Sequence, residues 1–464
     1  MKLARMRWLA LLTVFAMIVA ACGADDDSGT ETTAAPETTQ ADTTDTTAGD
    51  TTETTEPMDE GGEILTDFGV DLEEGVIRVG MLSDLTGAFG PLVSAILAGY
   101  QAYVDDYNAN GGLDGLEIEL VVRDTGYIVD NHIALYNEIK DDVVMIGHST
   151  GSPHTVAINA DLQADDMLTV PLTWYSGWSD SSINAALLSH GTPYCIEAMN
   201  TIGYIVDNVA PDAETIAIAG FPADYGQDSA RGAKLAAEAL GLEVVYDGEA
   251  VVIPSAEAAA TWTEAANGIA AGSPDIVWLV TNGTIYGSIF SQARDAGFAG
   301  GTWSGPSPSW SPALIAPDSD IKDDIAASFT GGTYTLGWVD GNPFIPLFEA
   351  GGLPPSDYYT EGVVEAKIAI AALEAAYANG DLTRAGVLSA GKSLENVGFE
   401  GVAPSESYAG ADNDRIQRAG MIIQPDPDGL ASGTSGGLFF IETEYTSEIA
   451  ANYEFTGACY SLGE

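Results

Sequence analysis

The protein has 464 residues, of which 69 are Asp or Glu and only 15 are Lys or Arg, so its formal net charge is −54. A chain of this length exceeds one ordinary hydrophobic core and predicts two domains. The strong negative charge argues against nucleic acid as a partner, because its phosphates would be repelled. We attribute the charge to a solvated acidic surface, as in proteins from salty habitats.

The N-terminus has the pattern of an export signal. Lys2, Arg5 and Arg7 precede an apolar run from 8 to 21, which is short for a membrane span and typical of a signal peptide. The run ends in small residues followed by Cys22, and this ending resembles a bacterial lipobox. We therefore expect a signal peptide over 1–21, lipidation of Cys22, and an extracytoplasmic protein that meets the membrane through its lipid anchor alone. The alternative is an ordinary secretory signal.

The stretch that follows has almost nothing to bury. From Gly23 to about Gly62 the chain is mostly Thr, Asp, Glu, Ala and Pro. This composition predicts a disordered tether, which we extend to residue 75.

An alternation of strands and helices begins at Val76. The apolar runs that predict strands, each followed by a helical pattern, lie at 76–82, 116–122, 143–146 and 168–172. This order predicts an α/β fold with a parallel sheet covered on both faces. In such sheets the ligand crevice forms at the carboxyl ends of the strands. Those segments are rich in Ser, Thr, Gly and aromatic residues here, so we expect the site there.

The same alternation then repeats. Helical patterns occur at 193–209, 227–240, 256–271 and 281–296, and predicted strands occur at 215–219, 242–252, 275–280 and 326–334. Residues 300–312 read as a loop, and the last part of the chain predicts helices at 357–378 and 383–396 and short strands at 416–423 and 437–443. Two tandem α/β units of this kind predict two lobes with a cleft between them. We place the hinge segments near Gly191, Gly332 and Tyr408.

Two cysteines remain besides Cys22. Outside the cytoplasm Cys195 and Cys459 can form a disulfide, and the alternative is two buried free thiols. We expect no metal site, because His148 and His154 are six residues apart across a proline, unlike a helical i, i+4 pair. No nucleotide-binding fingerprint is present, and we expect no cofactor.

One motif raises an enzymatic alternative. The run from Gly147 to Gly151 matches the Gly-x-Ser-x-Gly elbow of serine hydrolases, with Ser149 as the nucleophile. That fold needs a histidine late in the chain, whereas every histidine here precedes residue 191. A secreted serine hydrolase is therefore the weaker hypothesis. We interpret the run as a ligand-binding loop in which Ser149, Thr150 and Ser152 offer hydroxyl groups.

Five short motifs occur in order along the chain. They are Ile77-Arg78-Val79-Gly80 through Thr86-Gly87 with Gly99, then Asn108 to Leu113 with Glu117 to Leu120, then Ile146 to Ser149, then Asp224-Tyr225-Gly226, and finally Gln292 to Gly297. Together they resemble the type I periplasmic binding proteins, in particular the leucine/isoleucine/valine-binding branch of ABC-transporter solute receptors. The resemblance covers roughly residues 75–424.

The resemblance implies two doubly wound parallel-sheet lobes joined by a multi-strand hinge. The chain would pass between the two lobes three times. This gives a first lobe of 76–191 plus 335–408 and a second lobe of 192–334 plus 409–464. It also implies hinge closure on a small amino-acid-like or related polar solute, ABC permease subunits as partners, a monomer, and no enzymatic activity. A ligand-binding sensor of the same fold is the alternative within this class.

The resemblance also assigns site residues. In this family one lobe holds the ligand carboxylate through hydroxyl and N–H groups of loops that correspond to 147–152 and 171–174. The other lobe supplies an aromatic side chain, and usually an acid for the ligand ammonium. The residues expected at the site are Ser149, Thr150, Gly151, Ser152, Leu172 and Trp174 from one lobe, Tyr225 and Ser307 from the other, and Phe89 as a covering ring.

Ser307 departs from the family pattern, because it stands after Gly305-Pro306 where the acid is expected. Asp84 and Asp224 are candidate substitutes. The aromatic side chains expected at the site suit an apolar or a cationic solute.

Overall fold

The computed structural model describes residues 64–461. The first part of that range contains β1 (Leu65–Thr66), β2 (Val70–Asp71), β3 (Val76–Ser83), α1 (Gly90–Ala109), β4 (Glu117–Asp124), α2 (Val129–Ile139), β5 (Met145–Thr150), α3 (Ser152–Ala164) and β6 (Thr169–Leu172). Strands β4, β3, β5 and β6 lie side by side in that order and pair in parallel. The predicted first parallel sheet is confirmed.

Strand β5 is longer than the sequence suggests. It continues through Thr150, and all six of its residues are buried, so the expected break at Gly147 is wrong. The strand continues because its central position in a sheet covered by helices buries even small and polar side chains. The turn into α3 is therefore confined to Gly151.

A second alternation forms the other lobe. It contains α4 (Tyr194–Tyr204), β7 (Thr215–Gly220), α5 (Ala223–Leu240), β8 (Glu243–Gly248), α6 (Ala259–Gly272), β9 (Ile276–Val280), α7 (Gly283–Asp295) and β10 (Thr302–Ser304). The strand order is β8, β7, β9, β10, again all parallel. Strand β10 lies in the stretch predicted as a loop, because only three residues around the buried Trp303 pair with β9.

The remaining elements return to both lobes. They are α8 (Lys322–Ser328), β11 (Gly331–Thr333), α9 (Ile345–Ala350), α10 (Tyr359–Ala378), β12 (Asp381–Leu382), α11 (Arg384–Lys392), α12 (Asp412–Arg415), β13 (Gly420–Pro425), α13 (Pro427–Ser432), β14 (Leu438–Tyr445) and α14 (Glu448–Asn452). Strands β11, β13 and β14 form an antiparallel sheet. The predicted strand over 326–334 is wrong in its first three residues, which belong to α8.

Helix α10 packs backbone to backbone on α1 in the first lobe. A Cβ atom on Gly99 would lie 2.0 Å from the carbonyl oxygen of Tyr359, and one on Gly362 would lie 1.9 Å from that of Ile96. Any side chain at these two glycines would force the helices apart. The close approach fixes the first turn of α10, which borders the cleft.

The segment from 64 to 75 belongs to the folded body. Strand β1 pairs with β12, and β2 pairs with β3. The prediction of a disordered tether is therefore wrong for these residues. The predicted signal peptide, Cys22 and the rest of the tether lie outside the described residues.

A disulfide joins Cys195 at the start of α4 to Cys459 near the C-terminus, with the sulfur atoms 2.05 Å apart. The same C-terminal segment is held by the hydroxyl of Tyr175, which donates to the carbonyl oxygen of Tyr460 at 2.7 Å. In the part of the chain from 64 to 461, no helix has both the length and the apolar character needed to cross a membrane.

Candidate functional site

A cavity with ≈ 340 Å³ of space free of protein atoms, part of it open to solvent, lies where the carboxyl ends of the two parallel sheets face each other. We call it the first cavity. Its walls are Phe89, Leu92, Val93, Tyr127, Thr150, Gly151, Ser152, Leu172, Trp174, Tyr194, Tyr225 and Pro308. Seven of the nine residues expected at the site line this cavity, and residues of both lobes contribute.

The β5–α3 turn forms the polar end of the first cavity. Gly151 has φ +94°, and a Cβ atom there would lie 2.6 Å from Nδ1 of His154, so only glycine fits. Helix α3 begins at Ser152, and the first N–H groups of a helix lack intrahelical acceptors. The turn therefore offers N–H and hydroxyl groups and a positive helix end to a polar or anionic group.

Thr150 and Ser152 have their hydroxyl groups in local hydrogen bonds. Oγ1 of Thr150 lies 2.8 Å from Nε2 of His148 and accepts from the Asp84 N–H at 3.3 Å. The hydroxyl of Ser152 bonds to that of Thr173. These contacts fix the rotamers of both side chains, so the turn is held in place before a solute arrives.

Aromatic rings form the opposite wall. Tyr194 and Tyr225 have ring centroids 4.8 Å apart, and Trp174 packs edge-on against Tyr194 at 5.9 Å. The hydroxyl of Tyr225 donates to the Thr281 carbonyl oxygen at 2.7 Å, so this tyrosine presents its ring to the cavity. Nε1 of Trp174 has no hydrogen-bond partner among residues 64–461 and is available to an acceptor on a solute.

Ser149 is placed away from the first cavity. It is fully buried in β5, and its Oγ lies 2.8 Å from Oγ1 of Thr155 and 3.2 Å from Nε2 of His132. A hydrolase elbow instead exposes its serine at a strand-to-helix turn. Nδ1 of His132 has no hydrogen-bond partner within the described range, so no acid orients this histidine as in a catalytic triad.

A second cavity, with ≈ 440 Å³ of space free of protein atoms and also partly open to solvent, adjoins the first. The two cavities share Leu92, Trp174 and Pro308. The remaining walls of the second cavity are Ile96, Ser307, Trp310, Thr333, Tyr334, Thr335, Asp357, Tyr358, Glu361, Ile423 and Leu438. Ser307, the departure from the family pattern, lies here rather than in the first cavity.

Buried carboxyl groups surround the second cavity. Burial raises the pKa of Asp357 to about 7 and holds the pKa of Glu361 well above its usual value. Behind Ser307, Oε1 of Glu197 accepts the Ser307 N–H at 2.8 Å, and burial raises the pKa of Glu197 to about 8. Neither cavity has Lys or Arg among its described lining residues.

The two aspartates considered as substitutes for the missing acid line neither cavity. Asp84 accepts the N–H groups of Gly87 at 2.6 Å and Phe89 at 2.8 Å, and so shapes the turn into α1. Asp224 is buried at the start of α5, where burial raises its pKa to about 7. Asp84 is therefore placed as a structural group, whereas neither carboxyl oxygen of Asp224 has a hydrogen-bond partner among residues 64–461.

Four lining residues of the two cavities were not predicted from the sequence, namely Tyr127, Tyr194, Pro308 and Glu361. Pro308 adjoins the expected Ser307, so widening that loop by one residue would have found it. Glu361 stands in a helix predicted only as a packing element. Its acidic side chain among Ala, Val and Ile was a usable signal, since buried acids are rare without a partner.

Residues 76–430 match the model of a protein family described as periplasmic binding protein. The chain belongs to this family. Its members are solute-binding proteins, and substrate-binding proteins of ABC transporters are among its structural neighbours. No curated protein matches the sequence.

Solved structures of the same fold agree with the family assignment. The fatty acid ABC transporter substrate-binding protein from Thermomonospora curvata is 27% identical with a TM-score of 0.74, and the match covers 84% of this chain and 97% of that one. A branched chain amino acid ABC transporter protein from Thermus thermophilus with bound valine is 18% identical, with a TM-score of 0.66 and coverage of 81% and 97%. The branched-chain amino acid transporter substrate binding protein from Streptococcus pneumoniae in complex with isoleucine is 16% identical, with a TM-score of 0.60 and coverage of 79% and 99%.

Proposed function

We propose that this protein is an extracytoplasmic solute-binding lipoprotein of an ABC importer, which binds a small amino-acid-like or related polar solute between its lobes by hinge closure. The observation that carries the proposal is the first cavity, where the β5–α3 turn of one lobe faces Tyr225 and Pro308 of the other. A solute that touches both walls stabilises the closed arrangement of the lobes. The permease subunits would recognise that closed surface.

The walls of the first cavity define what the solute must offer. Its polar end would accept hydrogen bonds from the first turn of α3 and from Nε1 of Trp174. Its body would pack against apolar groups such as Leu92, Val93 and Leu172. A short carboxylate or amide with an apolar body satisfies both ends.

The N-terminal pattern supports the anchor. Lipidation of Cys22 would attach the chain to the membrane, and the acidic Thr-rich tether would let the folded body reach the permease. We propose lobes over 76–191 plus 335–408 and over 192–334 plus 409–464, and a monomer as the working unit. No catalytic role is assigned to any residue.

The test is thermal unfolding of the full-length protein in detergent against amino acids, amides, amines and short carboxylates. A ligand at a hundred times its dissociation constant adds about 2.7 kcal/mol to the stability of the folded form. We expect one class to raise Tm by about a few degrees.

The variant Gly151→Ala should abolish that rise, because its Cβ atom would meet His154. Gly111→Ala is the matched control, since it also has a positive φ but nothing within 4 Å of its Cβ position. A rise of equal size in Gly151→Ala would contradict the proposed site.

A further inference from the structure

We propose that the second cavity is an ammonium-binding subsite, in which Glu361 is the counter-charge for an amine-bearing solute. The inference rests on the proposed function and names the class of solute. It also assigns a negatively charged partner for the ammonium group of the solute, which Ser307 does not supply.

Glu361 has the placement that such a role requires. It lines the second cavity, its side chain is only 4% exposed, and Oε1 has no hydrogen-bond partner within residues 64–461. Oε2 accepts from Oγ1 of Thr335 at 3.3 Å, which orients the carboxyl group. A buried carboxyl oxygen without a partner is costly unless a ligand completes its hydrogen bonds.

The rings around Glu361 are also suited to a cation. Trp174, Trp310, Tyr334 and Tyr358 all line the second cavity, and the rings of Trp174 and Tyr334 lie 4.7 Å apart. Aromatic faces attract ammonium groups, and most strongly where water is excluded. Rings and carboxyl groups without Lys or Arg among the described lining residues favour a cation and repel an anion.

The two cavities together fit a solute with two different ends. They meet at Leu92, Trp174 and Pro308, so one molecule can extend from one into the other. Its carboxylate or other acceptor would lie at the β5–α3 turn, and its ammonium would lie at Glu361. A carboxylate without an amine would use the first cavity alone.

Protonation distinguishes this arrangement from simple packing. The groups facing the Glu361 carboxyl are Glu365, His190, Tyr334, Thr335 and, further away, Glu197. Nδ1 of His190 lies 3.5 Å from Oε1 of Glu361, while Glu365 is paired with His148 at 2.8 Å. Burial holds the pKa of Glu361 well above its usual value and so favours the protonated form of its carboxyl group in the empty site. An arriving ammonium replaces that proton, and binding releases it to solvent.

The experiment compares solutes that differ only in their amine. The full-length protein in detergent is titrated calorimetrically with leucine against 4-methylpentanoate, and with 6-aminohexanoate against hexanoate. We expect the amine-bearing member of at least one pair to bind at least about tenfold more tightly.

Glu361→Gln should remove that preference, because it keeps the shape of the protonated acid and abolishes its charge. Glu374→Gln, on the exposed face of the same helix, is the matched control and should retain the preference. Equal or tighter binding of the deaminated acid in both pairs overturns the inference, as does an unchanged preference in Glu361→Gln.

A second readout does not depend on a variant. Titration in two buffers of different ionisation enthalpy should show proton release with the amine-bearing solute and none with its deaminated counterpart. Absence of that release overturns the inference. If only the deaminated acids bind, the ammonium subsite is contradicted and the proposed function is not. If no solute tested binds, both proposals are contradicted.

Discussion

The two cavities of the cleft share Leu92, Trp174 and Pro308 but have opposite electrostatic character. The first cavity ends at the N-terminus of α3, with N–H and hydroxyl groups around Gly151. The second cavity is bordered by aromatic rings and by Asp357 and Glu361, each of which has one carboxyl oxygen without a hydrogen-bond partner among residues 64–461. Trp174 lines both cavities. A cleft of this kind can bind both ends of one solute, because hydrogen-bond donors lie at one cavity and carboxyl groups at the other.

The difference comes from where each polar group is anchored. The first cavity uses the end of a parallel strand and the start of the next helix, an arrangement that the α/β fold supplies at every strand end. The acid of the second cavity stands on α10, which reaches the cleft because Gly99 and Gly362 let two helices touch. The position of the N–H donors in the first cavity is thus set by the topology of the sheet. The position of Glu361 in the second cavity is set by the close contact between α1 and α10.

Trp174 lines both cavities, so its loss should affect every solute. Trp174→Ala would remove a ring that borders both cavities and an indole N–H, so we expect every solute to bind about 100-fold more weakly. Calorimetric titration measures this loss. Trp262→Ala on α6, outside both cavities, is the control and should bind normally. Equal losses in the two variants would show that Trp174 acts only through stability.

The variant Gly362→Ala tests the close contact between α1 and α10 that positions Glu361. Gly362→Ala would place a Cβ atom 1.9 Å from the carbonyl oxygen of Ile96, so the helices must separate and the free energy of unfolding should fall by about 2–3 kcal/mol. Urea unfolding measures the fall. Gly398→Ala, with nothing within 4 Å of its Cβ position, should change stability by less than about 1 kcal/mol. A fall no larger than in that control would refute the close contact.

Stability should depend on pH because of the buried acids. Asp357 has a pKa raised to about 7, and Glu197 and Glu406 have pKa values raised to about 8. A raised carboxyl pKa means that the folded state binds more protons than the unfolded state between about pH 4 and 8. The free energy of unfolding of the empty protein should therefore fall by at least about 1 kcal/mol from pH 5 to 8 in urea titrations. A rise over that window would contradict these pKa directions.

Tyr225 should show the smallest effect on binding. Its hydroxyl donates to Thr281 inside the second lobe, and only its ring faces the first cavity. Tyr225→Phe should leave the dissociation constant within about twofold while lowering stability by about 1 kcal/mol. Tyr225→Ala, which removes the ring, should weaken binding by about tenfold or more. A tenfold loss in Tyr225→Phe would mean that the hydroxyl contacts the solute.

Most of the fold could be predicted from the sequence. Apolar strand runs and five ordered motifs located both parallel sheets, because buried parallel strands are continuous hydrophobic segments. The short strand β10 and the folded segment 64–75 were missed, since two or three residues carry too little periodicity. Strand β1 also pairs with β12, which is distant in sequence.

The site divides in the same way. Gly151 and Trp174 could be placed because strand ends converge on one edge of a sheet. Ser149 was misplaced, since the continuation of β5 through Thr150 turns its side chain inward. Glu361 was missed because its place depends on how α10 packs on α1. Periodicity along α10 does not reveal that contact.

The central claim is that a solute is held by both lobes at once, and hydrogen exchange of the full-length protein tests it most directly. A solute that raises Tm should slow backbone exchange at the β5–α3 turn around Gly151 and, in the other lobe, at the start of α5 around Tyr225 and around Pro308. Protection in both lobes, lost together in Gly151→Ala, is the predicted result. Protection confined to one lobe, or located away from these segments, would contradict the account.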